Sequence, residues 1–193
     1  MDKPVISRKL AIVGARGVGK SSLTTRYTQD EFLESYIPTI ENQASKDVTI
    51  DKKLYNIDIL DTAGQDEYSM MNDKHLIGIH GYILIYSISS RSSFELISNI
   101  REKIVDSIVP LSLSDDISVD IPFVIVGNKT DLNSVRQVPT SEGEELGKKF
   151  NCPFIEVSAK DGTNVEKCFE LVLDTVNKTI DPPISKESNC IIV

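Results

Sequence analysis

Gly14-Ala15-Arg16-Gly17-Val18-Gly19-Lys20-Ser21 follows the apolar run Leu10-Ala11-Ile12-Val13 and leads into Ser22-Leu23-Thr24-Thr25-Arg26-Tyr27. The apolar run reads as a buried parallel strand, the glycines as a tight loop, and the stretch from Lys20 to Tyr27 as a helix. The octet fits G-x-x-x-x-G-K-[ST] in the strand–loop–helix setting that the pattern requires. A loop of this kind turns backbone N–H groups toward phosphate, aided by the positive end of the helix dipole. Lys20 then reaches the outer phosphates, and Ser21 ligates magnesium.

Downstream of that stretch the chain alternates strands and helices. Residues 48–50 and 55–60, separated by Asp51-Lys52-Lys53, predict an antiparallel hairpin. Strands follow at 82–88, 123–126 and 154–157, interleaved with helices at 93–109, 141–150 and 164–178. This order predicts an α/β fold: a six-stranded, mostly parallel sheet with one antiparallel edge strand and helices on both faces. Ligands of such sheets bind at the carboxyl ends of the strands, where every motif below falls. Residues 1–8 read as a short N-terminal extension, 9–178 as the domain and 179–193 as a flexible tail. The serine- and aspartate-rich connection 110–120 is longer than its place needs and is expected to be a mobile loop.

Composition narrows the function classes. With 193 residues, 40% hydrophobic and 26% charged, the chain falls outside the disordered, collagenous and disulfide-scaffold classes. A net charge of -8 opposes a nucleic-acid surface, which needs the opposite sign. Cys152, Cys168 and Cys190 show no metal spacing, and an odd count without a secretory leader predicts reduced thiols in a cytosol-facing compartment. No run approaches a membrane span, so membrane contact requires an added group.

Two further groups of residues stand at strand ends. Asp61-Thr62-Ala63-Gly64-Gln65 places a carboxylate near the magnesium, through water, and turns the Gly64 N–H toward a terminal phosphate. Asn128-Lys129-Thr130-Asp131 follows the apolar run at 123–126. The Asp131 carboxylate can accept from the ring N–H and exocyclic amine of guanine, a donor pair that adenine lacks. Ser158-Ala159-Lys160 supplies a backbone N–H for the guanine carbonyl and a lysine stem against the base. His75 and His80 have no partner at a telling spacing and are read as structural, as are Tyr82 and Tyr86 in a core strand.

In this order the motifs resemble the small GTPases of the Ras superfamily, a P-loop NTPase G domain, from Arg8 to Lys178. Within it the chain most resembles the Rheb branch. The residues that carry this are Arg16, the stretch Glu34-Ser35-Tyr36-Ile37-Pro38-Thr39-Ile40-Glu41-Asn42, and Asp61-Thr62-Ala63-Gly64-Gln65-Asp66-Glu67-Tyr68-Ser69. The resemblance implies a nucleotide site of Arg16 to Ser22, Phe32 on the guanine, Tyr36 near the phosphates, Thr39, Gly64, Asn128, Lys129, Asp131 and residues 158–160. It implies magnesium held by Ser21, Thr39 and Asp61, and catalysis by Lys20, Thr39 and a Gln65 that orients water. Segments near 36–42 and 64–78 become the switches.

The same resemblance implies a switch that hydrolyses GTP slowly unless a GAP acts, with Arg16 facing solvent rather than serving as a built-in arginine finger. Implied partners are a GAP like the tuberous sclerosis complex, an exchange factor and a TOR-kinase-type effector, on a chain expected to be monomeric. Ile37, where Ras proper has aspartate, departs from the pattern and leaves a Ras- or Rap-type effector open. A GTP-loading module with negligible turnover also stays open. Cys190-Ile191-Ile192-Val193 resembles the family's prenylated ends and places the chain on the cytosolic face of membranes, with a soluble pool. A single lipid anchor without a polybasic patch gives exchangeable attachment.

Overall fold

The computed structural model describes residues 4–32, 41–64, 78–108 and 120–180. The apolar run at its centre is the end of strand β1 (Val5–Val13), in which Leu10, Ala11, Ile12 and Val13 are all fully buried. The other strands are β2 (Glu41–Ile50), β3 (Lys53–Thr62), β4 (Gly81–Ser87), β5 (Phe123–Asn128) and β6 (Phe154–Glu156). The helices are α1 (Lys20–Gln29), α2 (Arg91–Ile108), α3 (Thr140–Phe150) and α4 (Val165–Ile180). Among the described residues the sheet has six strands in the order β2-β3-β1-β4-β5-β6, antiparallel only between β2 and β3. The predicted fold class therefore stands.

Side chains alternate across β1 and divide the core between two faces. Leu10 and Ile12 pack with Leu23 of α1 and with Phe169 and Val172 of α4. Ala11 and Val13 face the opposite layer with Ile97 and Ile104 of α2. Because both faces are covered, every residue of β4 is buried, which is why its sequence is a nearly unbroken apolar run rather than an alternating one. Each fully buried isoleucine or leucine contributes about 1.5–3 kcal/mol. Tyr27 closes α1 onto α4 by stacking on Phe169, with ring centroids 3.7 Å apart and an interplanar angle of 10°.

The boundaries differ from the sequence reading where strands project beyond the helices. β1 starts at Val5, five residues before the apolar run, and pairs with β3 from Val5 onward, so the strand takes in much of the expected extension. β2 begins at Glu41 rather than at residue 48, because an edge strand with largely exposed side chains needs no apolar pattern. The hairpin turns on Asp51 and Lys52, both left-handed at φ 49° and 66°, and Lys53 already belongs to β3. A 3-10 helix over Thr130–Val135 was not expected, and α4 runs to Ile180, past the predicted boundary at 178.

Lys46 ties the edge strand to the body of the fold. Its Nζ donates to Tyr27 O at 2.6 Å and to Glu166 Oε1 at 2.8 Å, and lies 4.1 Å over the Tyr27 ring. His80 exchanges two hydrogen bonds with Lys9: its N–H donates to Lys9 O, and its Nδ1 accepts the Lys9 N–H at 2.8 Å. Burial and the neighbouring Arg8 push its pKa down, consistent with a structural histidine. Burial raises the thiols of Cys152, to about 11, and Cys168, to about 12, leaving both as inert thiols. The 110–119 part of the long connection, His75 and Cys190 lie outside the described residues.

Candidate nucleotide site

The rim is built where the strand order reverses, at the carboxyl end of β1 between β3 and β4. Gly14 leaves β1 so close to β4 that a Cβ there would meet Ile85 O at 2.2 Å. The loop then takes left-handed turns at Gly17 (φ 72°) and Gly19 (φ 98°), and a Cβ at Gly19 would lie 2.4 Å from Asn128 Nδ2. Left-handed backbone and this close approach both require glycine. Gly19 ends the loop and starts α1, so the positive end of the helix dipole points at the rim.

Two opposite charges are buried under that loop. Lys20, only 6% exposed, donates to Gly14 O at 3.2 Å and to Ala15 O at 3.0 Å. Burial lowers its pKa to about 8, with Asp61 opposing the shift and Arg16 adding to it. Asp61, at the end of β3, is buried as well, and burial raises its pKa against the pull of a Ser21 hydrogen bond and the Lys20 charge. Its Oδ1 is buried without a hydrogen-bond partner among the described residues. An orphaned carboxylate oxygen beside a serine hydroxyl is a hard donor set of the kind that magnesium takes, so these residues fit that ion. Gly64 packs directly on Arg16, whose Cγ would be 2.2 Å from an added Cβ, while Arg16 itself is exposed.

On the other side of the rim the polar groups satisfy one another. Asn128, 1% exposed, donates from Nδ2 to Val18 O at 2.8 Å and accepts the Ala159 N–H on Oδ1 at 3.2 Å. One amide therefore links the glycine loop to the Ser158–Ala159–Lys160 segment. Lys129, left-handed at φ 69°, reaches Gly17 O at 2.5 Å. Burial lowers its pKa, with Asp131 opposing. The fully buried Ser158 donates from Oγ to Asp131 Oδ1 at 2.7 Å and accepts the Asp161 N–H at 3.0 Å.

The structure thus brings residues 16–22, Asp61, Gly64, Asn128, Lys129, Asp131 and residues 158–160 to one rim. Phe32 is half-buried two residues beyond the left-handed cap of α1 at Asp30. Tyr36, Thr39 and Gln65 lie outside the described residues. Arg26 is the addition that the sequence reading missed. It donates to Ala159 O at 3.0 Å and Lys160 O at 2.5 Å, and its only sequence signal is a lone base in the last turn of α1.

Among the described residues no helix is long and apolar enough to cross a membrane. The sequence profile described as Ras family matches residues 9–178. The chain is 44% identical to the "GTP-binding protein rhb1" of Schizosaccharomyces pombe, over 98% of each chain. It is 49% identical to the "Small monomeric GTPase RhbA" of Aspergillus fumigatus, over 91% of this chain and 90% of that one. With the "GTP-binding protein Rheb" of Homo sapiens the identity is 39%, over 97% of each.

Proposed function

The chain belongs to the Ras family of small GTPases, and from that premise we propose a Rheb-like switch whose guanine nucleotide spans the rim from Lys20 to Asp131. The observation that carries this reading is Asn128, a buried amide that joins the phosphate-type loop to the base-type segment. Residues 16–22 and Gly64 receive the phosphates; Asn128, Lys129, Asp131 and residues 158–160 receive the base, with Phe32 against it and Tyr36 near the phosphates. The domain runs from β1 at Val5 to the end of α4 at Ile180.

Hydrolysis of GTP asks the protein mainly to position water and to neutralise charge on the phosphate oxygens. Lys20 supplies a positive charge already stripped of water. Gln65 orients the attacking water, and Thr39 closes the site. Ser21, Thr39 and Asp61, the last through water, would hold magnesium, which would supply charge neutralisation for the outer phosphates. Arg16 is exposed, which favours a solvent-facing side chain over a built-in arginine finger, and intrinsic turnover is slow until a GAP acts.

The branch resemblance extends the proposal to a TOR-kinase-type effector on residues 36–42 and 64–78, a GAP like the tuberous sclerosis complex, and an exchange factor. The chain acts as a monomer, prenylated at Cys190 and exchanging between the cytosolic face of membranes and a soluble pool. Purified chain is expected to retain GDP, to exchange it for GTP but not ATP, and to release it faster when magnesium is chelated. A preparation with no tight hold on either guanine nucleotide would refute the reading. Cys190→Ser is expected to move the protein wholly to the soluble fraction of cells.

A further inference from the structure

Arg26 stands at the far end of α1 from Lys20, and its side chain is 19% exposed. Nε donates to Ala159 O at 3.0 Å and one terminal nitrogen to Lys160 O at 2.5 Å. The other terminal nitrogen donates to Asp30 O at 3.0 Å and Asp30 Oδ1 at 3.2 Å. The Asp30 side chain is 94% exposed, so that ion pair is screened and contributes little. The backbone carbonyls are the contacts that matter.

A trans peptide is planar, so fixing its C=O in one direction fixes its N–H in the opposite one. Holding Ala159 O therefore aims the Lys160 N–H, and holding Lys160 O aims the Asp161 N–H. The Asp161 N–H donates to Ser158 Oγ, which donates in turn to Asp131 Oδ1. The arginine fork thus reaches the carboxylate assigned to the base through one peptide and one hydroxyl, without touching the base. The same guanidinium anchors Asp30, two residues before Phe32. It bridges the two sides between which the guanine is placed above.

We propose that Arg26 is a positioning residue for guanine recognition: it orients the Ser158–Asp161 backbone so that Asp131 is held on the base, and thereby slows nucleotide release. This inference rests on the nucleotide reading of the rim. Lysine cannot substitute, because a point charge on a flexible stem does not reproduce two fixed parallel donors.

The test is release of GDP and IDP from the full-length, magnesium-loaded protein and from its Arg26→Ala, Arg26→Gln and Arg26→Lys variants, with Arg91→Ala as a control. IDP lacks the exocyclic amine assigned to Asp131. GDP release is expected to be roughly tenfold faster in Arg26→Ala, the loss of one to two net hydrogen bonds. Arg26→Lys should give little rescue, and Arg91→Ala should match the wild type. IDP release should change less, so the GDP-to-IDP discrimination falls at least threefold. Unchanged GDP release in a folded Arg26 variant overturns the proposal, and so does an equal acceleration of GDP and IDP. If Arg26→Ala does not fold, the same ratio read on Arg26→Gln decides. A wild-type chain that never retains GDP defeats the nucleotide reading itself, whereas the outcomes above defeat only the role of Arg26.

Discussion

The two halves of the rim solve opposite problems. Under the glycine loop, Lys20 carries a charge that burial disfavours, and Asp61 presents a buried oxygen with no partner among the described residues. Around Asn128, Ser158 and Asp131 the polar atoms are paired with one another before any ligand arrives. The first half stores an electrostatic cost that a charged ligand relieves; the second is assembled in advance and needs little reorganisation. Affinity should come mostly from the first and selectivity from the second.

Mutating each half in turn tests that division. Lys20→Met should lower GDP affinity ~10³-fold or more. It should also lower the thermal stability of the nucleotide-free protein, since buried Asp61 loses its opposite charge and the Gly14 and Ala15 carbonyls lose their donor. A large stability loss with affinity intact would reverse the comparison. Asn128→Ala removes bonds to both neighbouring loops and should cost about 2 kcal/mol of stability in urea unfolding. It should also speed GDP release roughly 100-fold, because two sides of the rim come loose together.

Asp131→Asn should shift preference from guanine toward xanthine nucleotides by ~10² with stability nearly unchanged, read by competition binding. Unaltered GTP affinity in that variant would take Asp131 out of base reading. The smallest effect is that of pH. Lys20 has a pKa of about 8 in the free protein, and phosphate binding raises it, so binding takes up a proton above that value. GDP affinity should be flat below pH 8 and then fall, by at most about tenfold per unit, until the bound-state pKa is reached. Lys20→Met should abolish that fall.

Legibility followed burial and locality. β4 could be read because both its faces are covered, which demands an apolar residue at each position, and the loop from Gly14 to Ser21 because its chemistry is contiguous. Asn42–Asp47 could not be recognised as strand, since a largely exposed edge puts no apolar demand on its side chains. Val5–Arg8 escaped for a similar reason, with two of its four residues exposed. In the site, Asn128 and Asp131 were visible as a motif, but their bonds to Val18 and Ser158 span 110 and 27 residues and leave no local trace. Arg26 left no more than the trace of a lone base, because its partner carbonyls lie 133 and 134 residues away and belong to the backbone, which no residue type announces.

The Lys46 tether gives the edge hairpin a mechanical character. Clamped to the end of α1 and to Glu166 at the start of α4, β2 behaves as a cantilever with a fixed root near its midpoint. Sliding the strand by one register position would pull the Lys46 ammonium group off an aromatic face and away from two oxygen acceptors, so the tether reinforces the register that β2 shares with β3.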